Sequence, residues 1–373
     1  MLNAQQEDCS YLAFSDLLTG YRLSLVLLQA HDAGVFEAID QEGAEGPELC
    51  ARLGWEQEYG LRFLRCLCGL GLIRARGSRY VLSSFAATYL CSASAQYQGR
   101  TLVFEKQLFD SWEQLTPCLA AGKRIFATED KDPQELQRAF SSYLGSMDEA
   151  ARIRSRELWE WFPPPASSGT ILDMGAGSGA FLNGFLTRYH GWRGIFCDLP
   201  EVVADPALHG RLAEIEKRIT WCGCNLLADV PSAFDEIPDQ SCDLVVLSNI
   251  IHCQGTGETE ILLHKAVAKA SRQGVLVIHD FFSDTGWRGA LYDIHMMLNT
   301  FNGKTYPLPE VIEMGASFGF CHTCARQLPS GSTALVLAGD RESILPFIDL
   351  SGEEGPDPKV KLLAVLHPQP AAG

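Results

Sequence analysis

The stretch Thr170-Ile171-Leu172-Asp173-Met174-Gly175-Ala176-Gly177-Ser178-Gly179-Ala180-Phe181 decides the fold. A short apolar run ends in an acid, three glycines follow at alternate positions, and an amphipathic segment comes next. That order predicts a buried strand turning tightly into a helix. Gly175 and Gly177 carry no Cβ, so the backbone there can bend and approach a ligand; Gly179 lets the helix pack close to the strand. Glycine-rich turns also occur in plain structural loops, so the surrounding chain must decide what this one serves.

Downstream, strands and helices alternate. After the first strand, Thr170–Met174, a helix is expected from Ala180 to Tyr189, a second strand over Gly194–Asp198 and a helical segment near Arg211–Lys217. Ile219–Cys222 and Cys242–Ser248 read as the third and fourth strands, Glu258–Ala270 as a helix and Gly274–Asp280 as the fifth strand. This rhythm means an α/β fold, a doubly wound, Rossmann-like parallel sheet with helices on both faces. Thr333–Ala338 is strand-like, and Gly315–Phe320 closes the helix before it. The Pro-, Gly- and Glu-rich tail from Asp340 reads as peripheral.

Upstream, Pro163-Pro164-Pro165-Ala166-Ser167-Ser168-Gly169 is a stiff, then flexible, linker. Residues 100–162 look helical throughout. Before them, apolar residues from Leu12 to Leu28 recur at helical spacing. Gly46–Gly54 and Glu58–Leu70 read as two short helices, and Leu72–Ala75 pairs with Arg79–Leu82 across Gly77-Ser78. Helix, turn, helix, hairpin is the winged-helix plan. The second helix offers few polar side chains to read bases, which favours a mostly helical dimerisation domain over DNA recognition. Four regions result: a winged-helix-like dimerisation domain (1–100), a helical pocket segment (101–162), a catalytic sheet domain (163–341) and a peripheral tail (342–373).

The 373 residues suffice for two sizeable cores. A net charge of -16 argues against nucleic-acid and acidic-membrane partners. No run reaches the ~18 uninterrupted apolar residues of a membrane span. The start, Met1 to Asp8, lacks a basic region leading into an apolar one, so the 13 cysteines read as reduced and the chain as cytoplasmic. Among the close pairs Cys66/Cys68, Cys222/Cys224 and Cys321/Cys324, only the last has C-x-x-C spacing, with His322 inside it. Zinc wants about four converging ligands; buried inert thiols are the expectation, with no metal.

In a doubly wound sheet the ligand lies beyond the carboxyl ends of the strands. Asp198 ends the second strand roughly 20 residues past the glycines, where a carboxylate can accept hydrogen bonds from both hydroxyls of a ribose. A dinucleotide site wants G-x-G-x-x-G; here the spacing is G-x-G-x-G with Asp173 just before it. That acid would repel a diphosphate and suits a cation, and S-adenosylmethionine, with a sulfonium and an ammonium, is such a cation.

At these residues the chain resembles a known family. Asp173–Gly179 looks like motif I of class I S-adenosylmethionine-dependent methyltransferases. Phe196-Cys197-Asp198-Leu199-Pro200-Glu201-Val202-Val203 contains the D-L-P-E-V of the branch that holds plant caffeic-acid-type O-methyltransferases and acetylserotonin O-methyltransferase. The resemblance covers about residues 10 to 340 and implies a homodimer joined through the N-terminal domain. It implies cofactor contacts at Asp173, Gly175, Gly177, Gly179, Asp198, Leu199, Asn225, Leu226 and Ser248. Asn225 stands where the family has an acid that meets adenine.

The family's L-H-D-W, which carries its general base, matches Ile251-His252-Cys253-Gln254, so His252 is the expected base, with Cys253 and Gln254 replacing Asp-Trp. Of two acids flanking that base in the family, the first falls on His279 with Asp280 next door, and the second is replaced by Thr305. His252, Asp280 and His279 are therefore the catalytic candidates. Tyr292, Met296, Met297 and Phe301 are expected to line the acceptor pocket, with Phe109, Trp112, Tyr143 and Met147 from the preceding helical segments. The expected reaction is methyl transfer to a small aromatic hydroxyl. C-, N- or S-methylation is the alternative that the missing acid at Thr305 favours, and a ligand-sensing DNA-binding regulator is the alternative outside enzymes.

Overall fold

The structure is a computed structural model that describes residues 10–124, 133–228, 232–349 and 362–363. The chain divides into two compact units, Met1–Asp110 with Asp132–Ala150, and Ser111–Lys131 with Ala151–Gly373.

The first unit runs α1 (Tyr11–Asp32), α2 (Val35–Ala38), β1 (Ala44–Glu45), α3 (Gly46–Arg52), α4 (Gln57–Gly69), β2 (Ile73–Arg76), β3 (Arg79–Leu82), α5 (Ser84–Tyr89) and α6 (Gly99–Gln107). The expected helix, turn, helix, hairpin order is present, and β1 adds a third strand in the antiparallel order β1-β3-β2. The hairpin turns at Gly77, whose φ of 61° suits glycine. Glu56 and Ser83 accept backbone N–H bonds at the starts of α4 and α5. Leu49, Leu64, Leu67 and Ile73 close the core. Helix α1 differs: Leu28 and Ala30 are buried, whereas Tyr11, Leu12, Phe14, Leu17, Leu18, Tyr21, Leu23 and Leu25 are exposed. Among the described residues it is the one helix long and apolar enough, by length and composition, to cross a membrane.

The chain then passes through α7 (Phe109–Glu113), α8 (Leu115–Ala121) and α9 (Pro133–Trp161), whose residues from Ala151 onward belong to the second unit. There follow β4 (Gly169–Met174), α10 (Ala180–Arg188), β5 (Trp192–Asp198), α11 (Pro200–Val203), α12 (Pro206–Arg211), β6 (Ile219–Gly223) and β7 (Cys242–Ser248). The chain continues through α13 (Thr256–Lys269), β8 (Ala270–Asp280), α14 (Trp287–Asn299), α15 (Leu308–Ser317), β9 (His322–Gln327), β10 (Thr333–Ala338), α16 (Arg341–Asp349) and β11 (Leu362–Leu363). The sheet order is β11-β9-β10-β8-β7-β4-β5-β6. The five strands β8-β7-β4-β5-β6 are parallel, and the C-terminal strands add an antiparallel edge. Because the chain winds outward from β4 in both directions, the ligand crevice falls at the β4/β7 switch.

Strands β4, β7 and β8 are near-continuous apolar runs because both sheet faces are covered. On one face Phe181 and Phe185 of α10 pack with Phe196, Val246 and Val277. On the other, Leu172, Met174, Leu247 and Ile278 meet Leu263 and Ile312. Two expectations need correction. The helix placed near Arg211–Lys217 begins earlier, because Asp205 caps it through Ala207 N–H and Pro206 sits in its first turn; Glu216–Arg218 is a separate 3-10 turn. The tail from Asp340 is not peripheral at its start: Ile344 and Phe347 of α16 are buried in the core. Most of the residues after Asp349 lie outside the described residues.

Candidate active site and cofactor crevice

The glycine turn has the backbone that its sequence demands. Gly175, Gly177 and Gly179 have φ of 71°, 55° and 75°, in the left-handed region. A Cβ on Gly175 would lie 2.3 Å from Ile250 Cδ1, whereas one on Gly177 would meet open space. Gly177 N–H donates to Asp198 Oδ2 at 2.6 Å and Leu199 N–H to Asp198 Oδ1 at 2.7 Å, tying the turn to the end of β5. Burial nevertheless pushes the Asp198 carboxyl up, against those two donors. From the other side, Ser155 Oγ donates to Ala180 O and Trp159 Nε1 to Phe181 O, each at 2.9 Å, fixing the first turn of α10.

A cavity of about 300 Å³ opens at this edge, lined by Gly175, Asp198, Leu199, Asn225 and Leu226 together with Cys224, Ile250 and Gln254. Five of the nine expected cofactor residues thus share one cavity, and Gly177 is bonded to its Asp198. Asn225 Oδ1 accepts from Leu227 N–H at 2.9 Å, which leaves its NH2 donors for a ligand.

Asp173 and Ser248 sit elsewhere, on the α10 face of the sheet. Asp173 is buried, its Oδ2 has no partner, and burial, aided by Asp198, raises its carboxyl pKa to about 7. Asn249, at φ 54°, presents a second buried acceptor without a partner, Oδ1. Ser248 Oγ bonds His279 Nδ1 at 3.0 Å, and Ser332 Oγ holds His279 Nε2 at 2.8 Å. Burial, then Arg154 and His252, lower the His279 pKa to about 3, so this ring is neutral and clamped between hydroxyls.

His252 lies in a 3-10 turn, Ile251–Cys253, directly after β7 and its Asn249 bend. The turn is pinned from below: Tyr306 Oη donates to Gln254 O at 2.8 Å, and Gly303 packs so closely on His252 O that a Cβ would lie 2.4 Å away. His252 Nδ1 bonds Asp280 Oδ1 at 2.5 Å, and both side chains are buried. Burial disfavours the charged ring, yet the Asp280 carboxylate, Tyr292 and Cys253 together outweigh it and hold the His252 pKa well above the ordinary histidine value. His279 and Asp280, being consecutive in a strand, point to opposite faces. Asp280 bonds His252, whereas His279 serves the serine pair, so of the two positions considered for the first acid only Asp280 pairs with the imidazole.

The remaining expected residues divide. Tyr292 stands edge-on to His252, ring centres 5.1 Å apart, and packs on Phe281 at 4.3 Å. Trp112 stacks on His295, which neighbours Tyr292. Burial, then His252, lowers the His295 pKa to about 4. Met296 is buried and Met297 half-buried, but Phe301 is 89 % exposed. Phe109, Tyr143 and Met147 belong to the first unit, where Tyr143 packs on Phe104. Sequence reading missed His295, Phe281 and Arg154, whose guanidinium lies 4.9 Å from the Phe281 ring centre. Helical spacing relates His295 to Tyr292 and was the available signal; the other two come from distant strands and helices. Thr305, where the second acid is missing, receives a carboxylate from elsewhere: Asp293 Oδ1 accepts its N–H at 2.6 Å.

A doubly wound sheet with a glycine turn, an acid at the end of its second strand and a His–Asp pair at its switch is an arrangement able to hold a nucleotide-type cofactor. Comparison gives the family. Residues 110–320 match the O-methyltransferase domain and residues 15–92 the O-methyltransferase dimerisation domain, so the chain belongs to this family of S-adenosylmethionine-dependent O-methyltransferases. It is 24 % identical to acetylserotonin O-methyltransferase of Bos taurus, over 79 % of this chain and 88 % of that one. The N,N-dimethyltransferase OxyT of Streptomyces rimosus is 23 % identical, over 76 % and 81 %. Human N-acetylserotonin methyltransferase, solved in complex with the cofactor, has the same fold, with a TM-score of 0.73 and 19 % identity over 90 % of this chain and 99 % of that one.

The residues fit that cofactor. Asp198 keeps free lone pairs beside its two backbone donors, as a ribose requires, and Leu199 and Leu226 supply apolar walls for a planar base. Asp173 Oδ2 and Asn249 Oδ1 are buried acceptors without a partner on residues close in sequence to the crevice-lining Gly175 and Ile250, where a cationic ammonium would satisfy them.

Proposed function

We propose that this chain methylates a hydroxyl of a small aromatic acceptor, with His252 as general base and Asp280 as its orienting partner. The observation that carries the reading is the His252–Asp280 pair placed just after β7, at the switch point beside the glycine turn. Asp280 fixes Nδ1 as the protonated nitrogen, so Nε2 is the atom that takes the acceptor's proton. The cofactor supplies an electrophilic methyl on a sulfonium. The protein aligns the hydroxyl, removes its proton and excludes water; Tyr292, His295 and Trp112 supply flat apolar surface for an aromatic ring. The test is incubation with S-adenosylmethionine and a panel of phenols, anilines and thiols, with the product located by mass and NMR. An O-methyl product supports the reading. N-, C- or S-methyl products with no O-methyl product would favour the second reading, an acceptor needing no base, which the absent acid at Thr305 supports.

A base must be neutral to work, and Asp280 holds His252 in its charged form to higher pH. Turnover should therefore rise with pH along a limb above the ordinary histidine range. Asp280→Asn removes the charge that raises the pKa, so that limb should move to lower pH. A limb that stays in place would show that His252 is not the titrating group. The same pair has a stability consequence: its contribution is complete below the unfolded histidine pKa and is lost as pH rises through the folded one.

The exposed apolar length of α1 is read as the contact with a second copy of this chain, because it starts the region that matches a dimerisation domain. The helix, turn, helix, hairpin that follows is its winged-helix frame. Leu17→Glu with Leu18→Glu should turn a sedimenting dimer into a monomer; wild-type chain that sediments as a monomer contradicts this.

A further inference from the structure

Three cysteines meet under the cofactor crevice. Cys197 on β5 and Cys222 on β6 are direct register partners, and Cys224 follows β6. Cys197 Sγ lies 3.4 Å from Cys224 Sγ, Cys222 Sγ lies 3.9 Å from it, and all three sulfurs fall within 4.8 Å of one another. All are buried, among the apolar side chains of Leu172, Met174 and Leu226. Yet Cys224 also lines the crevice, which gives an ion a path in. A Zn–S bond of about 2.3 Å places sulfurs of one ion about 3.8–4.0 Å apart, so the trio needs only small side-chain adjustments to share a metal.

We propose that Cys197, Cys222 and Cys224 form a binding site for one thiophilic ion of the Zn²⁺ class, with its fourth position open to the crevice. Binding replaces the thiol protons by metal–sulfur bonds and releases them to solvent, with no change of oxidation state. Cys224 is the entry ligand. The sequence alone shows Cys222 and Cys224 as an isolated pair; only the pairing of β5 with β6 brings Cys197 beside them. Three soft ligands with one open position exceed what inert core thiols require and suit zinc or another sulfur-seeking ion.

The test uses the full-length, reduced chain and Zn²⁺ alone, competed against a chelator. One equivalent should be retained, with an X-ray absorption shell of three sulfurs at about 2.3 Å and one lighter atom. Cys222→Ala should weaken retention at least ~100-fold, because one of three bonds is gone, while Cys66→Ser with Cys321→Ser, two exposed positions, should leave it unchanged. The scattering shell is read on unaltered protein, so it stands even if Cys222→Ala folds poorly. No retained zinc, a shell with fewer than three sulfurs, or retention lost with Cys66 and Cys321 would overturn the site.

Discussion

His252→Ala should lower kcat by ~100-fold or more, a barrier increase of about 2.7 kcal/mol, while leaving cofactor affinity within a few-fold. The split follows from where the side chain sits. His252 is on the turn after β7, bonded to Asp280 and facing Tyr292, whereas the crevice that fits the nucleoside lies around Asp198 and Asn225. Removing the imidazole deletes the proposed proton acceptor without touching Asp198 or Asn225. Asp280→Ala is the poorer probe, because it leaves His252 beside an empty space where its charge was paired, at a cost of about 3–5 kcal/mol in stability. Steady-state kinetics on His252→Ala, with calorimetry of the product S-adenosylhomocysteine, checks both halves. Near-wild-type turnover would dismiss the base, and an equal fall in kcat and affinity would point to a collapsed loop instead.

Asp198→Ala should weaken cofactor binding by at least ~100-fold. A hydrogen bond to a charged group is worth about 1.5–3 kcal/mol, and the carboxylate can receive two ribose hydroxyls. It also accepts the N–H groups of Gly177 and Leu199, so its loss frees the glycine turn as well. Asp198→Asn should be nearly as damaging, because an amide keeps one acceptor and turns its NH2 toward a backbone N–H that needs one. Calorimetry with S-adenosylhomocysteine reads the effect directly. An affinity within threefold of the unaltered chain would remove Asp198 from the ribose.

How much of this was legible beforehand depended on whether the signal was local. The glycine turn, the ends of β4, β5 and β7 and the helix, turn, helix, hairpin order are written in contiguous residues, and the structure has them where they were read. The start of α12 differs from the sequence reading because Asp205 and Pro206 begin a helix just ahead of the helical-looking Arg211–Lys217 run. The choice between His279 and Asp280 could not be made from a gap-free match, since a shift of one residue in a strand exchanges its faces. The pairing of β8 with β7 and β10 makes the choice, burying His279 between two serines and Asp280 against His252. Phe301 is expected in the pocket as part of the helix after the fifth strand, but it follows the end of α14 and is exposed. The thiol trio was invisible for a related reason: Cys197 stands 25 residues from Cys222, and only strand pairing makes them neighbours.

The central claim is that the crevice at the β4/β7 switch holds a cationic methyl donor by its ribose and nucleoside. Isothermal calorimetry of the folded chain with S-adenosylmethionine, repeated on Asp198→Ala, tests it most directly. One site per chain for the unaltered protein, lost or greatly weakened in the variant, is the predicted result. No heat from well-folded protein with either the donor or its demethylated product, or equal binding by both proteins, would contradict it.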